Sequence, residues 1–152
     1  MIIGIPKEIK EDEYRVGIVP AGVKEFVSNG HTVLVEKNSG IGSGILDAEF
    51  KIEGAKILDS PAEIYSQAEM IIKVKEPLPA EYEYLKKEQI LYAFLHLAAA
   101  KELTETLLKE EIIAIAFETV ELEDGSLPLL IPMSEVAGRM AIHEGAKYLE
   151  RE

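Results

Sequence analysis

Arg15, Lys75 and His96 have the types and settings for polar chemistry in this chain. The apolar run Ile90-Leu91-Tyr92-Ala93-Phe94-Leu95 stops on His96, and Met70-Ile71-Ile72-Lys73-Val74 stops on Lys75. In a parallel sheet, reactive groups collect at the carboxyl ends of strands, where loops open into a crevice. A histidine there can trade protons with a substrate near neutral pH; the alternative is a core histidine bonded to a carbonyl. Lys75 can hold a carbonyl or carboxylate oxygen as a point charge, or reach solvent from the strand end. Lys73 alternates onto the same sheet face as Lys75, and the strand-end position favours Lys75 for the crevice. Arg15 closes an acidic loop. Its planar guanidinium is a bidentate partner for a carboxylate, or it pairs with Glu11 or Glu13 at the surface. The three are expected to face one pocket.

Other residues carry less. Ser134 offers a hydroxyl at a helix N-terminus, a place that can receive an anion but also an ordinary cap. Gly40-Ile41-Gly42-Ser43-Gly44 lies between a strand and a helix. The third glycine of a dinucleotide fingerprint would fall at position 45, which is Ile45, and the loop follows the second strand rather than the first. A tight structural turn is expected there. His31 sits in a turn, His143 lies mid-helix, and Glu118 is a surface or supporting carboxylate.

Composition narrows the classes. A net charge of −12 argues against nucleic acid and anionic membrane surfaces, whose recognition rests on Lys and Arg, and suits a soluble cytoplasmic protein. There is no cysteine, so no disulfide, thiolate nucleophile or Cys-based zinc site, and no metal is expected. No apolar run approaches the ~18 residues of a membrane span, and the N-terminus lacks a signal-peptide layout.

These residues need a scaffold, and the pattern supplies one. Strands are expected at Ile2–Ile5, Thr32–Val35, Ala55–Leu58, Met70–Val74, Ile90–Leu95 and Ile112–Phe117, the last buried. Helices are expected from Pro20 to Asn29, from Asp47 as cap to Glu53, from cap Ser60 to Ser66, across Glu81–Lys87, across Lys101–Glu110, and from cap Ser134 toward Leu149. An acidic turn spans Glu121–Ser126 and an extended segment Pro128–Met133. Short apolar strands alternating with helices of about ten residues indicate βαβ units. The fold class is α/β: a Rossmann-like (flavodoxin-like), mostly parallel sheet with helices on both faces. Residues 1–152 are expected to form one domain. The last helix, within 134–152, runs into Glu150-Arg151-Glu152 without a glycine or proline stop, as a helix leading onward would.

The ordered segments Ile3-Gly4-Ile5-Pro6-Lys7-Glu8, Arg15-Val16-Gly17, Lys73-Val74-Lys75-Glu76-Pro77, Phe94-Leu95-His96-Leu97-Ala98 and Met133-Ser134-Glu135-Val136-Ala137-Gly138-Arg139 resemble the N-terminal part of NAD-dependent alanine dehydrogenases. The resemblance implies oxidative deamination of L-alanine to pyruvate and ammonia. It makes Arg15 and Lys75 the holders of substrate oxygens, His96 the acid/base, Met133 a pocket wall and Ser134 a contact to NAD. It also implies that NAD is held mainly by a Rossmann domain beyond this chain, that the chain alone is inactive, and that the full-length form is a homo-oligomer, a hexamer. The related NAD(P) transhydrogenase alpha subunit is the alternative, though it tends to lack the lysine and histidine; saccharopine dehydrogenases are more distant. A non-enzymatic assembly module is a third reading.

Overall fold

Six short apolar segments pair side by side, all parallel: β1 (Ile2–Ile5), β2 (Thr32–Glu36), β3 (Lys56–Leu58), β4 (Met70–Lys75), β5 (Ile90–Phe94) and β6 (Ile113–Ala116). Their order is β3-β2-β1-β4-β5-β6, which of the doubly wound orders is the Rossmann one. This is a computed structural model, and it describes residues 1–150. Five α-helices accompany the strands: α1 (Pro20–Ser28), α2 (Asp47–Ile52), α3 (Pro61–Gln67), α4 (Lys101–Lys109) and α5 (Ile131–Leu149).

The chain divides into two compact units, Met1–Ala116 and one that starts at Phe117. The first holds the whole sheet. From β1 the chain winds outward through α1, β2, α2 and β3, then crosses back to β4 and winds the other way. Right-handed crossovers place the helices of the two half-windings on opposite faces. One core face gathers Leu34, Ile64, Tyr65, Ile71, Leu91, Leu95, Leu103 and Leu107. The other buries Ile3, Ile5, Val33 and Val35, and Val23 of α1 and Phe50 of α2 are buried as well.

At Gly4 the α3 segment packs closely on the sheet. A Cβ there would lie 2.7 Å from Ile64, 2.8 Å from Ala68 and 2.9 Å from Ile71. Gly4→Ala is therefore expected to lower stability by about 1–3 kcal/mol through overpacking, read as a lower denaturation midpoint at unchanged slope.

Several elements differ from the sequence expectations. Leu46, not Asp47, precedes α2; the Asp47 carboxylate instead accepts the Asn38 N–H at 2.9 Å. The helix expected across Glu81–Lys87 is a 3-10 helix at Pro79–Tyr84. Pro79 opens it early, and the buried Leu85 then leaves in extended conformation. β6 is an edge strand with Ile113 and Ile115 exposed rather than buried, because it has a sheet neighbour on one side only. Ser60 caps α3 as expected, in reciprocal bonds with Glu63.

In the second unit, Gly125 at φ 81° closes the acidic turn, with the Asp124 carboxylate accepting the Ser126 N–H at 2.9 Å. The segment Pro128–Met133 is not extended. It turns at 128–130 and enters α5 at Ile131, with Pro132 in the first turn, a position its fixed φ favours. Ser134 is consequently inside the helix, its N–H donating to the Leu130 carbonyl at 3.0 Å, and is not the cap. Residues 151–152 of the expected charged ending lie outside the described residues. Among the described residues no helix is long and apolar enough to cross a membrane.

Candidate active site

The two half-windings part between β1 and β4, so the crevice of the sheet opens at the carboxyl ends of these strands. Arg15 lies in the loop after β1, Lys75 is the last residue of β4, and His96 follows β5. All three belong to one edge of the sheet.

The loop carrying Arg15 is long and irregular, yet tied down along its length. The Lys7 N–H donates to Glu36 at 2.8 Å, and Glu8 accepts the Val74 N–H at 2.7 Å. Lys10 pairs with Glu76 at 2.6 Å. Gly17 lies flat against β4, where a Cβ would meet the Ile72 carbonyl oxygen at 2.7 Å. From the other side, the Ser43 hydroxyl donates to the Tyr14 carbonyl at 2.9 Å.

The glycine loop is the wall behind Tyr14. A Cβ on Gly42 would sit 2.6 Å from the Tyr14 carbonyl oxygen, and one on Gly40 would meet the Ile45 carbonyl and the Phe50 ring at 2.8 Å. Chain packing therefore occupies the space that these two glycines leave. Residues 40–44 form a tight structural turn, as expected.

Arg15 is bound side-on by Glu13. Nε donates to Oε1 at 2.8 Å and Nη2 to Oε2 at 2.5 Å, while the Arg15 backbone N–H also donates to Oε1 at 2.9 Å. The Glu13 side chain is only 7% exposed and that of Arg15 46%. These guanidinium bonds are the largest influence holding the Glu13 carboxyl down to about 2, with Lys75 a further nearby cation. One carboxylate thus feels both cations. Beside it opens a cleft of about 420 Å³ lined in part by Lys7, Glu8, Glu13, Arg15 and Ser39.

Lys73 and Lys75 part company at a β-bulge. β4 pairs with β5 in register through Ile72↔Tyr92, then shifts so that Lys75 pairs with Phe94. Paired residues of parallel strands share a face, so Lys75 lies on the face of Ile72, Tyr92 and Phe94. The simple alternation that put both lysines on one face is corrected by the extra residue, which re-aims the strand end. Lys73 is 1% exposed, with Nζ 3.2 Å from Glu8 and 2.8 Å from Glu81. The Tyr65 hydroxyl donates to the same Glu81 oxygen at 3.1 Å. Burial pushes the Glu8 carboxyl up, against the pull of Lys73. Burial, with Glu81 beside it, pushes the Tyr65 hydroxyl well up.

His96 has left-handed backbone, φ 50° and ψ 37°, directly after the fully buried Leu95. This region is uncommon for a residue with a side chain, and strain of this kind clusters where functional groups are aimed. The imidazole is exposed and stacks on Phe94 at 6.4 Å between centroids. Its charge also reaches Glu76. There burial pushes the carboxyl up, but the Lys10 bond and charge, with His96, bring it net below the ordinary range.

The direct pairs here are Arg15 with Glu13 and Lys10 with Glu76; Lys75 acts on Glu13, and His96 on Glu76, electrostatically. Met133 and Ser134 lie in the first turn of α5 and Glu118 in a 3-10 turn at Phe117–Thr119, all in the second unit. Among the described residues no group of three or more His, Asp and Glu is placed to hold a metal. Sequence reasoning missed the buried Glu8–Lys73–Glu81 cluster. Its signal was present: a lysine in mid-strand among Ile71, Ile72 and Val74 must be buried, and a buried charge needs a partner.

Comparison with known proteins follows the same lines. The family described as alanine dehydrogenase/PNT, N-terminal domain, matches residues 4–137. An alanine dehydrogenase of Methanococcus maripaludis is 57% identical over all of this chain and 41% of its own length. One from Staphylococcus epidermidis is 54% identical over 99% of the chain and 40% of its own length. A solved L-alanine dehydrogenase structure superposes with a TM-score of 0.93 at 52% identity, covering 99% of this chain and 42% of that one. A transhydrogenase from Sinorhizobium meliloti is more distant, at TM-score 0.73 and 28% identity over 78% of this chain and 34% of that one. The chain spans about two fifths of the curated relatives it matches. Fold, strand order and matched residues agree: the chain belongs to the family of alanine dehydrogenase/PNT N-terminal domains.

Proposed function

We propose that this chain is the substrate-binding part of an NAD-dependent L-alanine dehydrogenase. The observation that carries the proposal is the carboxylate Glu13, held in the fork of Arg15 at the switch point of the sheet, where the charge of Lys75 also acts on it. An anion site made of a guanidinium and an ammonium suits a 2-oxo or 2-amino acid. Arg15 takes the substrate carboxylate, with the geometric specificity of a planar fork. Lys75 takes the oxygen or nitrogen on C2 as a point charge. His96 moves the protons. Oxidation at C2 leaves an iminium, water adds to it, and ammonia departs; the added water must lose a proton and the leaving nitrogen must gain one.

The part played by this chain in that reading is binding, orientation and proton handling. In this reading Met133 is a substrate-wall residue and Ser134 a contact to the nicotinamide cofactor. The assembly is a homo-oligomer of the longer polypeptide.

The test joins this chain to the rest of the M. maripaludis relative and follows NADH formation with L-alanine. Arg15→Ala and Lys75→Ala are each expected to lower kcat/KM by about 10²-fold or more, as losing a charged partner in a desolvated pair does. A joined protein that instead exchanges hydride between two nucleotides and leaves alanine untouched moves the assignment to the transhydrogenase branch. Retention of full alanine turnover in both variants removes the proposed pocket.

A further inference from the structure

We infer that Glu13 is a positioning residue for the substrate carboxylate, acting through Arg15. The inference rests on the substrate-binding reading of Arg15 and deepens it. Three bonds converge on one carboxylate: Arg15 Nε at 2.8 Å, Nη2 at 2.5 Å and the Arg15 backbone N–H at 2.9 Å. The backbone bond closes the loop between residues 13 and 15, so Glu13 is anchored independently of the guanidinium it holds. Glu13 is also the buried partner and Arg15 the exposed one, so the carboxylate belongs to the fixed wall and the guanidinium is what that wall presents.

A loose arginine side chain carries much rotamer entropy. Glu13 removes much of that freedom before substrate arrives. A guanidinium has five N–H donors, and Glu13 takes two of them along one edge. The same carboxylate lowers the repulsion between Arg15 and Lys75, two cations that must sit close together for a three-carbon acid to touch both.

Glu13→Gln keeps the shape and loses the charge. Two readouts on two proteins test the inference. In this chain, the Arg15 Nε–H resonance is expected to be shifted and slow to exchange in the parent, and to move and exchange faster in Glu13→Gln with thermal midpoint little changed. In the joined dehydrogenase, Glu13→Gln is expected to raise KM for alanine and pyruvate about 10- to 100-fold while kcat stays within about threefold. In an Arg15→Lys background, which has no fork to hold, the same change is expected to add less than about twofold, because coupled residues are non-additive.

An unchanged Nε–H signal, an unchanged KM, or an effect of equal size in the Arg15→Lys background each overturns the inference. A parallel loss of kcat and thermal midpoint also overturns it, since that marks a merely structural role. Failure of the parent joined protein to oxidise alanine overturns the substrate reading itself, and is distinguished by appearing before any substitution at Glu13.

Discussion

Lys73→Ala is expected to destabilise the protein by about 3–5 kcal/mol at neutral pH, the range found when one partner of a buried ion pair is removed. Glu8 and Glu81 would then face each other inside the fold with no cation between them. The Glu8 carboxylate also accepts the Val74 N–H, so its reorganisation would disturb β4 directly. Chemical denaturation across pH gives the check, and the sign can be worked out from Glu8. Burial raises its pKa, so its proton is held more tightly in the folded state. Such a group's contribution to stability is fully present below the unfolded value and is lost as pH rises through the folded one. Removing Lys73 strips away the influence that offsets burial and deepens this loss. The deficit of Lys73→Ala should therefore shrink in mildly acidic buffer as Glu8 takes up its proton. A deficit independent of pH, or one below about 1 kcal/mol, contradicts the account. Lys73→Met combined with Glu8→Gln and Glu81→Gln should recover much of the loss, because apolar and neutral replacements leave no uncompensated charge.

His96→Gln is expected to lower kcat of the joined dehydrogenase by about 10²–10⁴-fold, the usual contribution of a positioned acid/base. KM for alanine should change only a few-fold, because in the proposed pocket the carboxylate is held by Arg15 and not by the imidazole. The residue's strained backbone gives a control. His96→Gly relieves the left-handed conformation at φ 50° while deleting the ring. If the ring matters, the glycine variant loses activity like the glutamine one and is not less stable. Steady-state kinetics with alanine, with and without added imidazole, separates the outcomes. A kcat within tenfold of the parent in both variants would remove His96 from proton transfer.

The fold was legible because strand and helix signals are local. Apolar runs bounded by Pro20, Asn29-Gly30, Ser60-Pro61 and Asp124-Gly125 marked the elements well. The departures arose where tertiary demands outweighed local ones. Asp47 sits beside a helix start like a cap, but its carboxylate is needed at Asn38. Ser134 also resembles a cap, yet Pro132 carries the helix start back past it. Glu81 looks like part of an amphipathic helix, whereas it is drawn inward by Lys73 and Tyr65.

For the candidate site, residue type and strand-end position singled out Arg15, Lys75 and His96 as candidates. Partnerships between residues far apart in sequence were not visible. Nothing in Glu8 or Glu76 announces that they fasten a loop to another strand 66 residues away. For Arg15 the two readings left open by its sequence were not exclusive. It is paired with Glu13, as the surface reading held, and that pairing is what would make it a rigid fork.

The bulge in β4 has one more consequence. Two lysines spaced two apart would ordinarily be duplicates, interchangeable by a modest drift of the chain. The one-residue offset between Ile72 and Lys75 makes them separate parts: one a counter-ion sealed in the interior, the other the last residue of the strand at the rim. The length of this strand is thereby under a constraint that its composition does not reveal. Deleting one residue from the bulge would keep both lysines and every other functional side chain, yet it would turn Lys75 toward the wrong side of the sheet. In this part of the molecule, counting residues is as much a determinant of the pocket as choosing them.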